Sequence, residues 1–220
     1  MKSVLVIGMG ALGKHLARKV AEFGNEVLIM DENEDVIQEL SQEFPNAIAG
    51  DCTSEGVLRS LGVNNFDYCF VTVGEDFYDT LEITAILKEL GAKYVVTKAK
   101  KNRQADFLKK IGADAVFYPE EDMAESLAIK YTVDNIYDNF ELTEEYSIYE
   151  MPILKEWRDK SISDIDLREL YGINIIAVRK GVQLLPTPKS NYVFEDGDMI
   201  FVIARKEDVL KISAKTSKKK

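Results

Sequence analysis

The feature that most constrains the fold is Val4-Leu-Val-Ile-Gly8-Met-Gly10-Ala-Leu-Gly13, with Asp31 lying 18 residues beyond Gly13. A short β-branched run meets a three-glycine turn, and a helix-period segment follows. A second strand over Glu26–Met30 then ends in an acid. This order predicts a mononucleotide-binding βαβ unit. Gly8 permits the tight turn, Gly10 lets a pyrophosphate approach the backbone, and Gly13 lets the helix lie close to the sheet. The helix that starts near Ala11 and Leu12 directs free N–H groups and its positive dipole end at such a phosphate. Asp31 is placed to accept hydrogen bonds from a ribose diol. The same glycines would also suit a turn that packs and binds nothing. The strand before them, the helix after them and the spacing of the acid favour the nucleotide.

The rhythm continues to about residue 118. Val4–Ile7, Val27–Met30, Ala47–Ala49, Tyr68–Val73, Tyr94–Thr97 and Ala115–Tyr118 read as buried strands. The segments Ala11–Phe23, Asn33–Glu43, Glu55–Leu61, Phe77–Leu90 and Gln104–Ile111 read as helices. Gly24, Gly62, Gly91 and Gly112 each follow a helix, where a left-handed residue closes the last turn. Six strands in this order predict an α/β fold with a Rossmann-like, doubly wound parallel sheet. Residues 120–139 then read as one long crossover helix, Glu120–Asp138, with apolar residues on more than one side, suited to crossing to a second subunit. Residues 140–213 read as a small α+β domain. Its strands are Tyr146–Ile153, Asn174–Arg179, Val182–Leu185 and Asp198–Ile203, and its helices Ile165–Tyr171 and Lys206–Ile212. Residues 214–220 form a basic, disordered tail.

Composition excludes several classes. A net charge of −10 disfavours nucleic acid as a partner, because a phosphate-tracking surface needs positive charge. No apolar run approaches the ~20 residues of a membrane span. Cys52 and Cys69, the two cysteines, make neither a disulfide framework nor a metal-ligand pattern, and the chain reads as cytosolic.

Further candidates sit at the ends of the predicted strands. A carboxylate at Asp31 repels a 2′-phosphate, which favours NAD or an adenine nucleotide over NADP. Asn33 either adds a ribose contact or caps the next helix. In Gly50-Asp51-Cys52-Thr53, Asp51 could bond a purine, or Thr53 could simply cap a helix. Val73 and Gly74 end the fourth strand on the same rim as Gly8, where glycine leaves room for a ligand and Asp76 suits a cap. Lys98 closes the fifth strand and either neutralises a phosphate or lies in solvent. The pair Tyr94 and Lys98 has the Tyr-xxx-Lys spacing of a dehydrogenase, but on a strand its members lie ~13 Å apart. His15, the single histidine, reads as a surface or packing residue.

In order along the chain, these segments resemble the cytosolic regulatory subunits of Trk/Ktr-type potassium uptake systems, with the RCK (regulator of conductance of potassium) layout. The resemblance is carried by Val6–Gly13, Val27–Asn33, Gly50–Thr53 with Leu58–Gly62, and Phe70–Gly74. It continues through Lys98-Ala99, Ile111–Asp114, Tyr118–Met123, Lys160–Ile162, Tyr171–Ala177 and Asp196–Phe201. It implies an RCK-N unit over residues 1–119, which takes an adenine nucleotide (ATP, ADP or AMP) or NAD(H), and an RCK-C unit over residues 140–213. It also implies a homodimer assembling into an octameric ring at the inner face of the membrane, beneath a potassium channel or transporter subunit gated by the nucleotide. By the same resemblance Gly8, Gly10, Ala11, Leu12 and Gly13 hold phosphate. Asp31 and Asn33 hold ribose, Asp51, Cys52 and Thr53 face the adenine, and Lys98 takes a phosphate. Glu120 would approach a divalent cation at a subunit interface. Ktr relatives that sense ATP carry an arginine where this chain has Ala11, which weakens the case for choosing ATP over ADP. A regulatory role without catalysis is implied; the alternative, a small NAD-dependent oxidoreductase, needs a catalytic acid or base and a substrate pocket, and the residues after the long helix offer neither His nor Cys.

Overall fold

The structure, a computed structural model, describes residues 1–73, 76–143 and 145–217. It divides into two compact units, Met1–Glu121 and Asp122–Lys220.

The first unit is built on a six-stranded sheet. Its strands are β1 (Ser3–Ile7), β2 (Glu26–Asp31), β3 (Ala47–Ala49), β4 (Tyr68–Val71), β5 (Val95–Lys98) and β6 (Ala115–Phe117). The order is β3-β2-β1-β4-β5-β6, and every neighbouring pair is parallel. Helices α1 (Ala11–Glu22), α2 (Glu34–Leu40), α3 (Glu55–Ser60), α4 (Phe77–Glu89) and α5 (Asn102–Lys110) connect the strands. The centre of the sheet explains the apolar run at the start of the chain. Val4 and Val6 pack with Ala17, Ile29 and Ile37 on one face, whereas Leu5 and Ile7 pack with Met30, Val71 and Ile83 on the other. A strand covered on both faces needs apolar residues at every position. Each such side chain contributes about 1.5–3 kcal/mol on burial. Gly24, Gly62, Gly91 and Gly112 all take positive φ, as predicted. The sheet order reverses between β1 and β4, which opens a crevice at the carboxyl ends of those strands.

The second unit is an antiparallel sheet in the order β10-β9-β11-β8-β7. Its strands are β7 (Asp138–Glu141), β8 (Tyr146–Pro152), β9 (Asn174–Lys180), β10 (Gln183–Pro186) and β11 (Met199–Arg205). Helices α7 (Ile162–Ile165), α8 (Leu167–Tyr171) and α9 (Lys206–Ser217) belong to the same unit. Trp157, Tyr149, Phe194, Met151 and Val202 fill its core. Trp157 meets Tyr171 edge-on at 4.9 Å between ring centroids, so its role is packing.

Three expectations are corrected. The long helix α6 spans Pro119–Thr132 and stops there. Asn135 is left-handed, with φ of 60°, and the chain turns into β7, where Asp138 pairs with Glu150. Ile136, at helical spacing in the sequence, is instead buried in the core of this unit. The single helix foreseen over Ile165–Tyr171 is split by Asp166, whose φ is 47°. At the end of the chain, α9 runs through Ser217 into the segment read as tail. Residues 218–220 lie outside the described set.

Candidate nucleotide site

The turn between β1 and α1 has a defined division of labour. Gly8 has φ of +94°, and a Cβ there would lie 2.7 Å from the Val73 backbone nitrogen. At Gly13 a Cβ would lie 1.9 Å from the Gly8 carbonyl oxygen. Both positions therefore require glycine for the fold itself. Gly10 differs. Its φ of −64° suits any residue, and a Cβ there would meet nothing within 4 Å. The space above Gly10 is open, so the fold gives no packing reason for glycine there.

Gly10 caps α1 without any side-chain hydrogen bond, and the first turn of α1 carries no acid. The N–H groups around Ala11 and Leu12 thus keep the donor capacity and positive end of the helix. Thr72 braces the turn from below: its buried hydroxyl reaches the carbonyl oxygens of Ile7, at 3.0 Å, and Gly8, at 2.8 Å. Sequence reading missed this residue. A threonine just past a buried strand was the available signal.

At the end of β2 the Asp31 carboxylate accepts the Met9 N–H at 2.5 Å and the Asn33 N–H at 2.9 Å. Asn33 is the cap of α2, its Oδ1 accepting the N–H groups of Asp35 and Val36. Of its two readings, the cap is the one the structure displays. Beyond β3, Asp51 accepts from both the N–H and the hydroxyl of Thr53, and these bonds hold its carboxyl below the usual range. Thr53 is therefore spent on Asp51, and Ser54 starts α3. Cys52 is buried toward the Gly50 carbonyl, and burial, reinforced by Asp31 and other nearby carboxylates, pushes its thiol up to about 12. It stays a neutral packing group near neutral pH. Val73 forms the wall beside Gly8; Gly74 lies outside the described residues.

Lys98, at the end of β5, is neither free nor solvated. It pairs with Glu120, and its side chain is 12% exposed. That hydrogen bond is the main cause holding the Glu120 carboxyl below its ordinary range. Among the described residues no group of three or more His, Cys, Asp or Glu could hold a metal, and Glu120 belongs to no such group. Lys14, one turn into α1, lies 3.9 Å from Glu39. His15 is exposed on α1.

The sheet order, the glycine turn beneath an open Gly10 and the acid at the end of β2 together define a Rossmann-type unit, joined in one chain to a small antiparallel domain. The TrkA-N domain model matches residues 4–119 and the TrkA-C domain model residues 148–216, so the chain belongs to the TrkA-N/TrkA-C family. It is 36% identical over 208 residues to the Ktr system potassium uptake protein C of Bacillus subtilis (strain 168), covering 94% of each chain. To the Ktr system potassium uptake protein A of the same organism it is 30% identical, again with 94% of each covered. Among solved structures, the GsuK RCK domain shares the fold with a TM-score of 0.67 at 19% identity. That match covers 98% of this chain and 47% of the GsuK chain.

Proposed function

We propose that this chain is a non-enzymatic regulatory subunit of a potassium uptake system, working from the cytoplasmic face of the membrane. Its first unit binds an adenine nucleotide or NAD(H). The observation that carries the reading is the open space over Gly10, between a helix start without an acidic cap and the Asp31 carboxylate. A pyrophosphate on the α1 N-terminus and a ribose on Asp31 would use both. The potassium half of the reading is supported by the relatives named as Ktr system potassium uptake proteins, matched over nearly their whole length.

In this reading the chain forms a homodimer, and dimers assemble into a ring that meets a membrane channel or transporter subunit. The exposed apolar residues Met123, Leu127 and Tyr131 recur every fourth position on α6, which supports pairing with a second copy. The nucleotide acts by binding one ring shape better than another, a coupling of typically ~1–3 kcal/mol. No step is assigned to a divalent cation.

The test is complementation. In a bacterium lacking potassium uptake, a Ktr-type membrane subunit is expressed with this chain or with its Asp31→Ala variant. Growth at low potassium that needs the chain and is impaired by the variant supports the reading. Growth indifferent to both contradicts it. Incubating the pure chain with NADH and following absorbance tests the oxidoreductase alternative.

A further inference from the structure

The peptide unit that joins Gly8 to Met9 is held at both ends. Its N–H, on Met9, donates to the Asp31 carboxylate at 2.5 Å. Its C=O, on Gly8, accepts the Thr72 hydroxyl at 2.8 Å. The two partners come from opposite sides of β1, whose neighbours in the sheet are β2 and β4. Asp31 ends β2, and Thr72 directly follows β4. A trans peptide is planar and its N–H and C=O point in opposite directions, so a bond on each end fixes how the plane is rotated.

The Thr72 hydroxyl also lies 3.0 Å from the Ile7 oxygen, but that oxygen already accepts the Thr72 backbone N–H at 2.8 Å. The single hydroxyl proton therefore goes to the nearer oxygen, on Gly8. The Gly8 N–H donates to the Met30 carbonyl at 2.8 Å, so Gly8 is tied to both neighbouring strands. Thr72 is only 4% exposed, and a Cβ on Gly13 would lie 2.8 Å from its hydroxyl, which places the side chain beneath the first turn of α1. Packing alone would be served as well by valine, which has the same branched shape. The hydroxyl adds one thing, a partner for the Gly8 carbonyl.

We infer that Thr72 is a positioning residue for the diphosphate of the nucleotide: with Asp31 it sets the rotation of the Gly8–Met9 peptide, and hence the direction in which the N–H groups around Ala11 and Leu12 meet phosphate oxygens. The inference rests on the nucleotide reading above and adds a residue that serves the site without touching the ligand. It also joins the two halves of the site. The carboxylate assigned to the ribose holds one end of the plane, and the hydroxyl on the far side of β1 holds the other.

Calorimetry of the whole chain with ADP and NAD, which share a diphosphate, and with adenosine, which has the ribose and no phosphate, tests this. Thr72→Val lowers affinity for the diphosphate ligands about fivefold, the scale of one hydrogen bond, and changes adenosine affinity less than about twofold. Thr72→Ser, which keeps the hydroxyl, restores the diphosphate ligands to within about twofold of wild type. Should Thr72→Val not fold, Thr72→Cys, of similar size with a weaker donor, gives the same comparison. Unchanged affinity for ADP and NAD in the variant without the hydroxyl overturns the inference and leaves the nucleotide reading standing. An equal loss for adenosine also overturns it, because the hydroxyl would then support the unit as a whole rather than the phosphate turn. If wild type binds neither ADP nor NAD, the nucleotide reading falls and this inference with it.

Discussion

The Oδ2 atom of Asp31 accepts the backbone N–H of Met9 at 2.5 Å, tying the end of β2 to the middle of the glycine turn. The acid assigned to the ribose is therefore also a strut of the phosphate turn. Asp31→Ala is expected to weaken nucleotide binding about tenfold or more, since a hydrogen bond to a charged group is worth ~1.5–3 kcal/mol. Calorimetry checks it, and unchanged affinity removes Asp31 from the site.

The glycines separate binding from folding. Gly10→Val places a side chain in empty space, so unfolding by urea should change by no more than about 1 kcal/mol, the scale of a helix-cap replacement. Nucleotide binding should be lost. Gly13→Ala drives a Cβ into the Gly8 carbonyl, 1.9 Å away before relaxation, and should cost about 3 kcal/mol or more. A Gly10→Val chain that binds normally would make the loop a packing turn only.

The apolar face of α6 gives a test of assembly. Met123, Leu127 and Tyr131 are 60%, 46% and 76% exposed, whereas Ile129 is buried at 7%. Replacing the three exposed residues with Asp should lower the mass in light scattering and leave each chain folded. Ile129→Asp should unfold the second unit, because it buries an unpaired charge. A monomeric wild type contradicts the pairing.

Asp67 and Asp114 are two of the carboxylates through which acid should destabilise the first unit. Asp67 is held below its ordinary range foremost by the Ser3 N–H, then by Lys93. For Asp114, partial burial alone would raise the carboxyl, but the Val95 N–H and Lys88 outweigh it and the net direction is down. A folded pKa below the unfolded one stabilises the fold above the unfolded value, and this contribution is lost as pH falls through the folded pKa. These two groups should thus add no slope between pH 8 and 5 and a loss below about pH 4. Urea midpoints across that range check it; an Asp67→Asn, Asp114→Asn chain should show a smaller acid loss. Equal losses in both chains would contradict the assignment.

The parallel sheet was legible because each of its signals is local. β1 is apolar at successive positions because it is covered on both faces, and the glycines after the helices mark where each one ends. The end of α6 was not legible. Val133 and Ile136 fit helical spacing, but the cover they receive comes from the neighbouring sheet and core, which no window of sequence contains. The same reason hid the Lys98–Glu120 pair, 22 residues apart, and the bracing of Gly8 by Thr72, 64 residues apart. Gly8, Gly13 and Asp31 were readable because one short unit fixes their geometry. Asn33 and Thr53 were ambiguous because the same residue types cap helices and bind ligands; the structure adds their local bonds, Asn33 capping α2 and Thr53 bonding Asp51.

If the open turn over Gly10 holds a nucleotide, calorimetric titration of the pure chain with ATP, ADP, AMP, NAD and NADH will find it, with Gly10→Val as the folded control. Saturable binding of at least one of these is expected at one site per chain, absent in Gly10→Val. No saturable binding by wild type, or equal binding by both chains, would mean that the turn is not a nucleotide site.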